Sequence, residues 1–212
     1  MTSVSSEDFC KSIRENEDKW GIIDCIYVQC VEEFSKCDLS LIDKRVRDRI
    51  LSAFLFDWGK MQRQLGHAGL QSVFKKIKDP SFALKIERFR KSKLEDGADL
   101  MLQRDEIVDL FDKIARLGFT SEKGKSKKAG STTASKVLHL CCPDFFMMWD
   151  ASIRIFFSKK IGNGADYFDF LCEMKLRLKE LNPVIIELEK EFGKRATRLI
   201  DEYNWKSAHH SE

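Results

Sequence analysis

The sequence predicts an all-α fold, and three features of the chain lead to this prediction. Apolar residues recur at helical spacing along most of the 212 residues, and no stretch shows the alternation of a β-strand. The chain has only 3 prolines and 11 glycines, which is unlike a sheet-rich protein with many turns. Hydrophobic residues make up 43% and charged residues 33% of the chain, which favours a globular protein over a disordered one.

The first quarter of the chain is predicted to form three helices. Ser5 or Ser6, followed by acidic residues, is typical of an N-cap and begins a helix that carries Trp20 near its inward face. A second amphipathic segment covers Ile22–Cys37, and a third covers Leu41–Trp58.

The middle of the chain is predicted to contain two further helices. Gly66 and Gly69 bracket a short loop, and Asp79-Pro80-Ser81 then begins a helix. The clearest amphipathic pattern covers Gly97–Leu117. Phe119–Gly130 is polar and rich in lysine, which predicts a linker.

The last third of the chain is again predicted to be helical. A helix over Thr132–Cys142 should end before Pro143, because the residue that precedes a proline resists helical geometry. Asp150 begins a helix that runs to about Lys160, and two long amphipathic helices, parted by Asn182-Pro183, complete the chain.

Length and cysteine content indicate the class of protein. A chain of 212 residues suits one sizeable domain or two small, closely packed ones. Seven cysteines without CxxC spacing or Cys/His alternation predict buried thiols and no metal site. The apolar runs are too short to cross a bilayer, and MTSVSSEDF is unlike a signal peptide, so we expect a cytoplasmic protein that is not bound to a membrane. A monomer is the oligomeric state that we expect.

Positive charge is concentrated between Lys113 and Lys136, where seven basic residues accompany one acid, Glu122. The net charge of the whole chain is only +3. Small and hydroxyl-bearing residues follow at a predicted helix start, where free N–H groups and lysines would both favour a phosphate. The predicted DNA contacts are Lys125, Lys127, Lys128, Gly130, Ser131, Thr132 and Thr133. A solvated loop that needs charge only for solubility is the other interpretation, and both stay open.

A second basic run, residues 85–93, is interpreted as an exposed helix face.

Asp150 is the candidate catalytic residue. It follows the aromatic and apolar run 145–149 and precedes a predicted helix. A carboxylate at that place is held ionised by the helix N-terminus and partly shielded from water by its neighbours. Such a group can stabilise an oxocarbenium-like sugar or orient a water molecule against it. An ordinary N-cap is the alternative role.

Residues 130–154 resemble helix–hairpin–helix DNA glycosylases of the endonuclease III superfamily. GSTTASKVL, at 130–138, is similar to the hairpin and its second helix, and MWDASIR, at 148–154, is similar to the segment with the essential aspartate. The resemblance implies a two-lobed helical fold with a cleft between the lobes. Residues 41–120 would form approximately one lobe, and residues 1–40 with 121–212 the other.

The resemblance also implies an activity. The protein would flip a damaged or modified base into the cleft and hydrolyse its N-glycosidic bond at Asp150, either in base-excision repair or in defence against phage DNA with modified bases. Thr132 stands where lyase-active members carry a Schiff-base lysine, which favours hydrolysis alone. Lys136, which precedes Asp150 by fourteen residues, is the amine nucleophile of the alternative, a bifunctional glycosylase and lyase. Only Cys172 follows Asp150, so no iron–sulfur cluster or other cofactor is expected.

Four further residues are candidates for the site. Trp149, His139 and Trp58 are proposed to line the base pocket, although each also fits a packed core. Arg154 is predicted either to contact a phosphate or to form an ion pair with Asp150. The rival function is a non-catalytic helical module that binds nucleic acid or a protein partner and uses Asp150 only as a helix cap.

Overall fold

The computed structural model describes residues 4–96 and 100–209, and it is mainly α-helical, as the sequence predicts. The α-helices of the described residues are α1 (Ser6–Ser35), α2 (Gln62–Ile77), α3 (Pro80–Arg90), α4 (Arg104–Ala115), α5 (Ser131–Cys141), α6 (Ala151–Phe156), α7 (Gly164–Phe192) and α8 (Ala196–His209). Two π-helical turns, Val46–Leu51 and Ala53–Trp58, and a 3₁₀-helix, Leu100–Gln103, lie between them. Two short strands, β1 (Gly118–Thr120) and β2 (Ser126–Lys128), precede α5.

Helix starts that the sequence marks with a capping side chain are confirmed. Ser5 accepts a hydrogen bond from the N–H of Asp8 at the start of α1, and Asp79 accepts one from Phe82 at the start of α3. Helix α5 ends at Cys141, as the proline at position 143 predicts.

Two predicted helix breaks are wrong. Helix α1 continues from Ser6 to Ser35, and Trp20, which was expected near the inward face, is 39% exposed. Helix α7 continues through Pro183, because buried apolar side chains on both sides of the proline, among them Leu181 and Ile185, pack into the core. The break comes instead at Gly193, whose φ of 64° ends α7 in the left-handed conformation.

The predicted linker over Phe119–Gly130 is instead a β-hairpin followed by a short connection. Strands β1 and β2 are antiparallel, with Phe119 opposite Lys127. Each strand has three residues, too few for an alternating pattern to stand out in the sequence. Phe119 is 8% exposed and packs close to Gly69, where a Cβ atom would lie 3.0 Å from the Phe119 ring, so one aromatic side chain docks the hairpin on α2.

The short loop predicted between Gly66 and Gly69 is wrong, because both glycines lie within α2. Gly66 is non-helical, with φ 57° and ψ −173°, but the helix continues on both sides of it. The remaining boundaries differ less from prediction. The helix predicted over Leu41–Trp58 is present as the two π-helical turns. The start of the helix predicted over Gly97–Leu117 lies outside the described residues, and the rest forms the 3₁₀-helix and α4. Helix α6 ends at Phe156.

Buried apolar residues form one contiguous core that includes side chains from both predicted lobes. Helix α4 packs against α5 and α7, and α1 packs against α5, α7 and α8. The division into two lobes and the helix–hairpin–helix assignment stay predictions. Among the helices of the described residues, none combines the length and the apolar character needed to cross a membrane.

Candidate functional site

An extended connection, residues 143–150, joins α5 to α6 and is anchored to the core by side-chain hydrogen bonds. The Ser135 hydroxyl donates to the carbonyl of Trp149 at 3.0 Å and accepts from its N–H at 3.2 Å. The Tyr167 hydroxyl donates to the carbonyl of Met147 at 2.6 Å, and the Thr197 hydroxyl donates to that of Pro143 at 2.5 Å. Because buried backbone groups need partners, these bonds fix the path of the chain that delivers Asp150.

Asp150 is the N-cap of α6. Its Oδ1 accepts a hydrogen bond of 2.9 Å from the N–H of Ile153, and its backbone is extended. The side chain is only partly buried. The capping role that the sequence left open is therefore present, and the carboxylate also borders the cleft described next.

The cleft has a volume of about 490 Å³, within the roughly 300–1,000 Å³ that is usual for small-molecule sites. Helices α1, α5 and α8, the end of the second π-helical turn and the residues around Asp150 all contribute to its wall. The lining side chains that carry the following argument are Asp24, Trp58, Lys136, Asp150, Arg198 and Asp201.

Lys136 lies in this cleft together with Asp150. Its Nζ donates a hydrogen bond of 2.8 Å to the carbonyl of Gly59 and lies 5.2 Å from the centre of the Trp58 ring. Burial lowers the pKa of the Lys136 amine, an effect that the carboxylates of Asp201 and Asp150 oppose. An amine with a lowered pKa is a better nucleophile at neutral pH.

His139 belongs to the core and not to the base pocket. It is fully buried, its Nδ1 donates to the carbonyl of Phe146 at 2.6 Å, and its Nε2 accepts from the Tyr27 hydroxyl at 2.7 Å. Burial lowers the pKa of His139 to about 3, so the ring is neutral at pH 7. It lies on the side of α5 that faces the extended connection, away from the cleft lining.

The two tryptophan candidates border the cleft, but each already has aromatic neighbours. Trp149 is 1% exposed and packs with Phe111, Tyr167 and Phe170 at ring separations of 5.1–5.7 Å. Trp58 stacks on Phe54 at 5.1 Å, and the cations of Lys136 and Arg198 lie over its ring. Both rings line the cleft, and their contact with a flipped base stays a prediction.

A cluster of buried ions, several of which line the cleft, lies between α1 and α8. The guanidinium of Arg198 pairs with Asp24 at 2.9 Å, with Asp201 at 2.5 Å and with Glu202 at 3.1 Å. The ammonium of Lys194 pairs with Asp24 and Glu202, each at 2.8 Å, and with Glu17. These pairs satisfy charges that would otherwise be costly to bury.

The carboxyl groups of this cluster titrate differently from one another. Burial raises the pKa of Asp201 to about 6 against the opposing effect of Arg198, and burial raises that of Glu202 to about 7. Burial also acts on Asp24, but Arg198 and hydrogen bonds from Glu202 and Lys194 outweigh it and lower the pKa of Asp24. Glu202 Oε2 is buried and has no hydrogen-bond partner among the described residues.

The basic hairpin adjoins the cleft. Lys125 and Lys128 are exposed, whereas the Lys127 ammonium donates to the carbonyls of Arg63 and Gln64 at 3.3 and 3.4 Å. Gln64 in turn donates to the carbonyl of Ala129. Because Gly59, Lys60 and Met61 line the cleft, this docking makes the hairpin and the cleft wall neighbours.

The start of α5 lies between the hairpin and the cleft. Gly130 precedes it with φ 83°, a conformation that favours glycine, and no side chain caps the helix. Ser131 and Thr132 are partly exposed, and Thr132 lines the cleft. Thr133, by contrast, is buried and its hydroxyl donates to the carbonyl of Ala129, so it is corrected from a DNA contact to a structural residue.

Arg154 supports its own loop. Its Nη1 donates to the carbonyls of Lys159 and Lys160 at 3.1 and 2.7 Å, and no ion pair with Asp150 is seen in the described residues. The ion-pair interpretation is therefore wrong, and the guanidinium is held where it supports the chain after α6.

The basic run at 85–93 is largely compensated by nearby acids, in keeping with an exposed helix face. Lys85 pairs with Asp109 at 2.6 Å, Arg88 with Glu106 at 3.2 Å and Arg90 with Glu87 at 2.9 Å.

The sequence did not predict a role for Asp24, Arg198 and Asp201, because Asp24 is distant in the chain from the other two and all three look like ordinary helix charges. Trp20 lines the cleft as well, whereas the sequence predicted its ring near the inward face of the first helix. The one available signal is the pair Asp201-Glu202 beside Arg198 on the amphipathic α8, a spacing that puts all three near one side of the helix. In the described part of the chain, no group of three or more His, Cys, Asp or Glu residues is arranged to hold a metal ion.

Comparison of the chain with models of known protein families, with curated proteins and with solved structures finds no significant match.

Proposed function

We propose that the protein is a DNA N-glycosylase that flips a base into the cleft and hydrolyses its bond to the sugar, leaving an abasic site. The observation that carries the proposal is the position of Asp150, a helix-capping carboxylate on a firmly anchored connection that borders a cleft of base-holding size. The short resemblance of residues 130–154 to helix–hairpin–helix glycosylases agrees with this assignment.

Asp150 has the surroundings that the chemistry needs. One of its oxygens is held in place by a hydrogen bond of 2.9 Å from the N–H of Ile153. Loss of a base develops positive charge on the sugar, which a fixed carboxylate stabilises in a site partly shielded from water. Asp150 would also orient the attacking water molecule.

The DNA backbone would lie across the hairpin and the start of α5. Exposed Lys125 and Lys128 and the uncapped N–H groups that follow Gly130 can bind phosphates, and both adjoin the cleft wall. A strand held there would present a flipped nucleotide to Asp150.

The test compares Asp150→Asn with the wild type on duplexes that each contain one 8-oxoguanine, uracil, hypoxanthine, 7-methylguanine or 5-hydroxymethyluracil. Asparagine caps helices as well as aspartate does, so this variant keeps the fold and removes only the charge. We expect abasic sites from the wild type on at least one duplex and a loss of at least about 100-fold in the variant.

The matched control is Asp79→Asn, which changes the N-cap of α3 away from the cleft and should leave activity unchanged. A wild type that binds these duplexes without releasing a base would instead favour the non-catalytic module. Equal activity of wild type and Asp150→Asn would remove Asp150 from the chemistry.

A second candidate activity, a lyase step after base removal, is favoured by Lys136. Its amine is buried in the same cleft, has a lowered pKa and makes no ion pair among the described residues. Such an amine could attack the C1′ aldehyde of the abasic sugar to form an imine with loss of water. Borohydride should then trap a covalent DNA adduct with the wild type and not with Lys136→Gln. Without an adduct, base removal proceeds by hydrolysis alone.

A further inference from the structure

We infer that Asp201 is a second carboxyl group of the site and acts as the general acid that protonates the departing base. This inference rests on the proposed N-glycosylase function and adds to it a division of labour between two acids. Asp150 would stabilise the sugar, and Asp201 would supply the proton that the leaving base needs.

The position of Asp201 supports this role. It lies on α8, lines the cleft with Asp150 and Lys136, and is 6% exposed. Arg198 Nη1 holds its Oδ2 at 2.5 Å, and no residue of the described chain forms a hydrogen bond with its Oδ1. One oxygen is thus fixed, and the other is left for a ligand.

Trp58 lies close to both the arginine that holds Asp201 and the buried amine of Lys136. The cations of Lys136 and Arg198 lie 5.2 and 5.0 Å from the centre of its ring, so the arginine that holds Asp201 shares an aromatic neighbour with the buried amine. The charged groups around Asp201 come from four elements: Arg198 and Glu202 on α8, Asp24 on α1, Lys136 on α5 and Asp150 before α6.

These surroundings suit a proton donor. Burial raises the pKa of Asp201 to about 6, although Arg198 and Lys136 oppose the rise, and the charge of Asp150 adds to it. A group whose pKa lies close to the working pH can both hold and release a proton. Glycoside-cleaving sites use such pairs, with one carboxyl protonated and one ionised.

The reaction is a hydrolysis of the N-glycosidic bond. The bond between C1′ and the base nitrogen breaks, its electron pair goes to the base, and the Asp201 carboxyl gives its proton to the base. Water then adds to C1′ and transfers a proton to the Asp201 carboxylate, which restores the acid. The products are the free neutral base and the abasic sugar.

This division predicts a difference between leaving groups. A neutral base such as 8-oxoguanine, uracil or hypoxanthine leaves more readily when it is protonated. 7-Methylguanine in DNA already carries a positive charge and leaves as a neutral base without a proton. Loss of Asp201 should therefore slow release of neutral bases and spare release of 7-methylguanine.

The experiment measures single-turnover base release by the wild type, Asp201→Asn and the control Asp144→Asn from pH 5.5 to 8. Asp144 is the matched control because its carboxylate also pairs with an arginine, Arg195, at 2.5 Å, outside the cleft lining. On a neutral base we expect Asp201→Asn to be about 100-fold slower below pH 6. Its rate should be flat with pH, so that the two rates converge as the wild type loses its proton. The control should follow the wild type.

The outcomes separate the two proposals. A wild type that releases none of the five bases used to test the proposed function contradicts that function and this inference with it. A wild type that releases only 7-methylguanine, or an Asp201→Asn deficit that is the same at every pH and for every base, overturns the inference and leaves Asp150 in place. A second readout needs no activity: the ¹³C signal of the Asp201 carboxyl, identified by its absence in Asp201→Asn, should titrate near pH 6. Titration near pH 4 would overturn the inference.

Discussion

In the cleft, acidic and basic side chains are mostly buried and each is held by named partners, whereas the lysines of the hairpin are mostly exposed. Arg198 contacts three carboxyl groups and two aromatic rings, while Lys125 and Lys128 are exposed. Buried charges acquire specific protonation states, and exposed charges act mainly through their summed field. Substitutions in the two regions should therefore have different effects. Substitutions in the cleft should lower the stability of the fold or the rate of the reaction, whereas substitutions in the hairpin should lower the affinity for an anion.

Arg198→Met should produce the largest loss of stability. The substitution leaves Asp24, Asp201 and Glu202 without their shared cation, and breaking such a buried pair typically costs about 3–5 kcal/mol. Urea unfolding at pH 8 measures the effect. Arg14→Met, which removes an exposed pair with Glu191, should leave the midpoint unchanged. If both variants unfold at the same urea concentration, the cluster does not stabilise the fold.

Glu202→Gln should change how stability depends on pH. Burial raises the pKa of Glu202 to about 7, above its value in the unfolded chain, so the folded state binds the proton more tightly. The stability due to this proton is complete below about pH 4.5 and is lost as the pH rises through 7. As the pH falls from 8 to 5, the wild type should gain up to ~1.4 kcal/mol per pH unit relative to the variant.

Urea unfolding of both proteins at pH 5 and pH 8 checks this difference. The effect of neutral, buried His139 is common to the two and cancels. Glu191→Gln, an exposed carboxyl, serves as the control. A stability difference that is identical at the two pH values would show that Glu202 is ionised throughout.

Changing Lys125 and Lys128 to Ala should have the smallest effect on the fold and act on DNA binding. Each phosphate contact that is lost should reduce the slope of log affinity against log salt by about 0.9 for duplex DNA. Lys127 is left intact, because its ammonium holds the hairpin against the start of α2. Lys91→Ala, in the second basic run, should not alter the slope. An unchanged slope in the double variant would mean that the hairpin lysines serve only solubility.

The features that the sequence predicts correctly are those that depend on residues close together in the chain. Local signals predicted what depends on neighbouring residues: the caps Ser5, Asp79 and Asp150, the end of α5 before a proline, and the concentration of lysines before α5. The resemblance of residues 130–154 brought Lys136 and Asp150 together as candidates, and both line one cleft.

What the sequence could not predict depends on distant residues. Asp24 and Arg198 are separated by 174 positions, and neither differs in type or spacing from an exposed helix charge. Pro183 stays inside α7 because tertiary packing on both sides overrides its local preference. The hairpin depends on one buried ring, Phe119, docked beside Gly69, a contact that three-residue strands do not reveal.

The most direct test of the account measures two quantities, the single-turnover rate of base release and the dissociation constant for DNA, on Asp150→Asn and on the Lys125/Lys128 double variant. The base is whichever one the wild type releases. We predict that Asp150→Asn loses rate by at least about 100-fold with little change in affinity, whereas the lysine variant loses affinity and keeps its rate at saturating protein. If Asp150→Asn releases the base as fast as the wild type, or if both variants change only affinity, Asp150 is a helix cap and the cleft is not a glycosylase site.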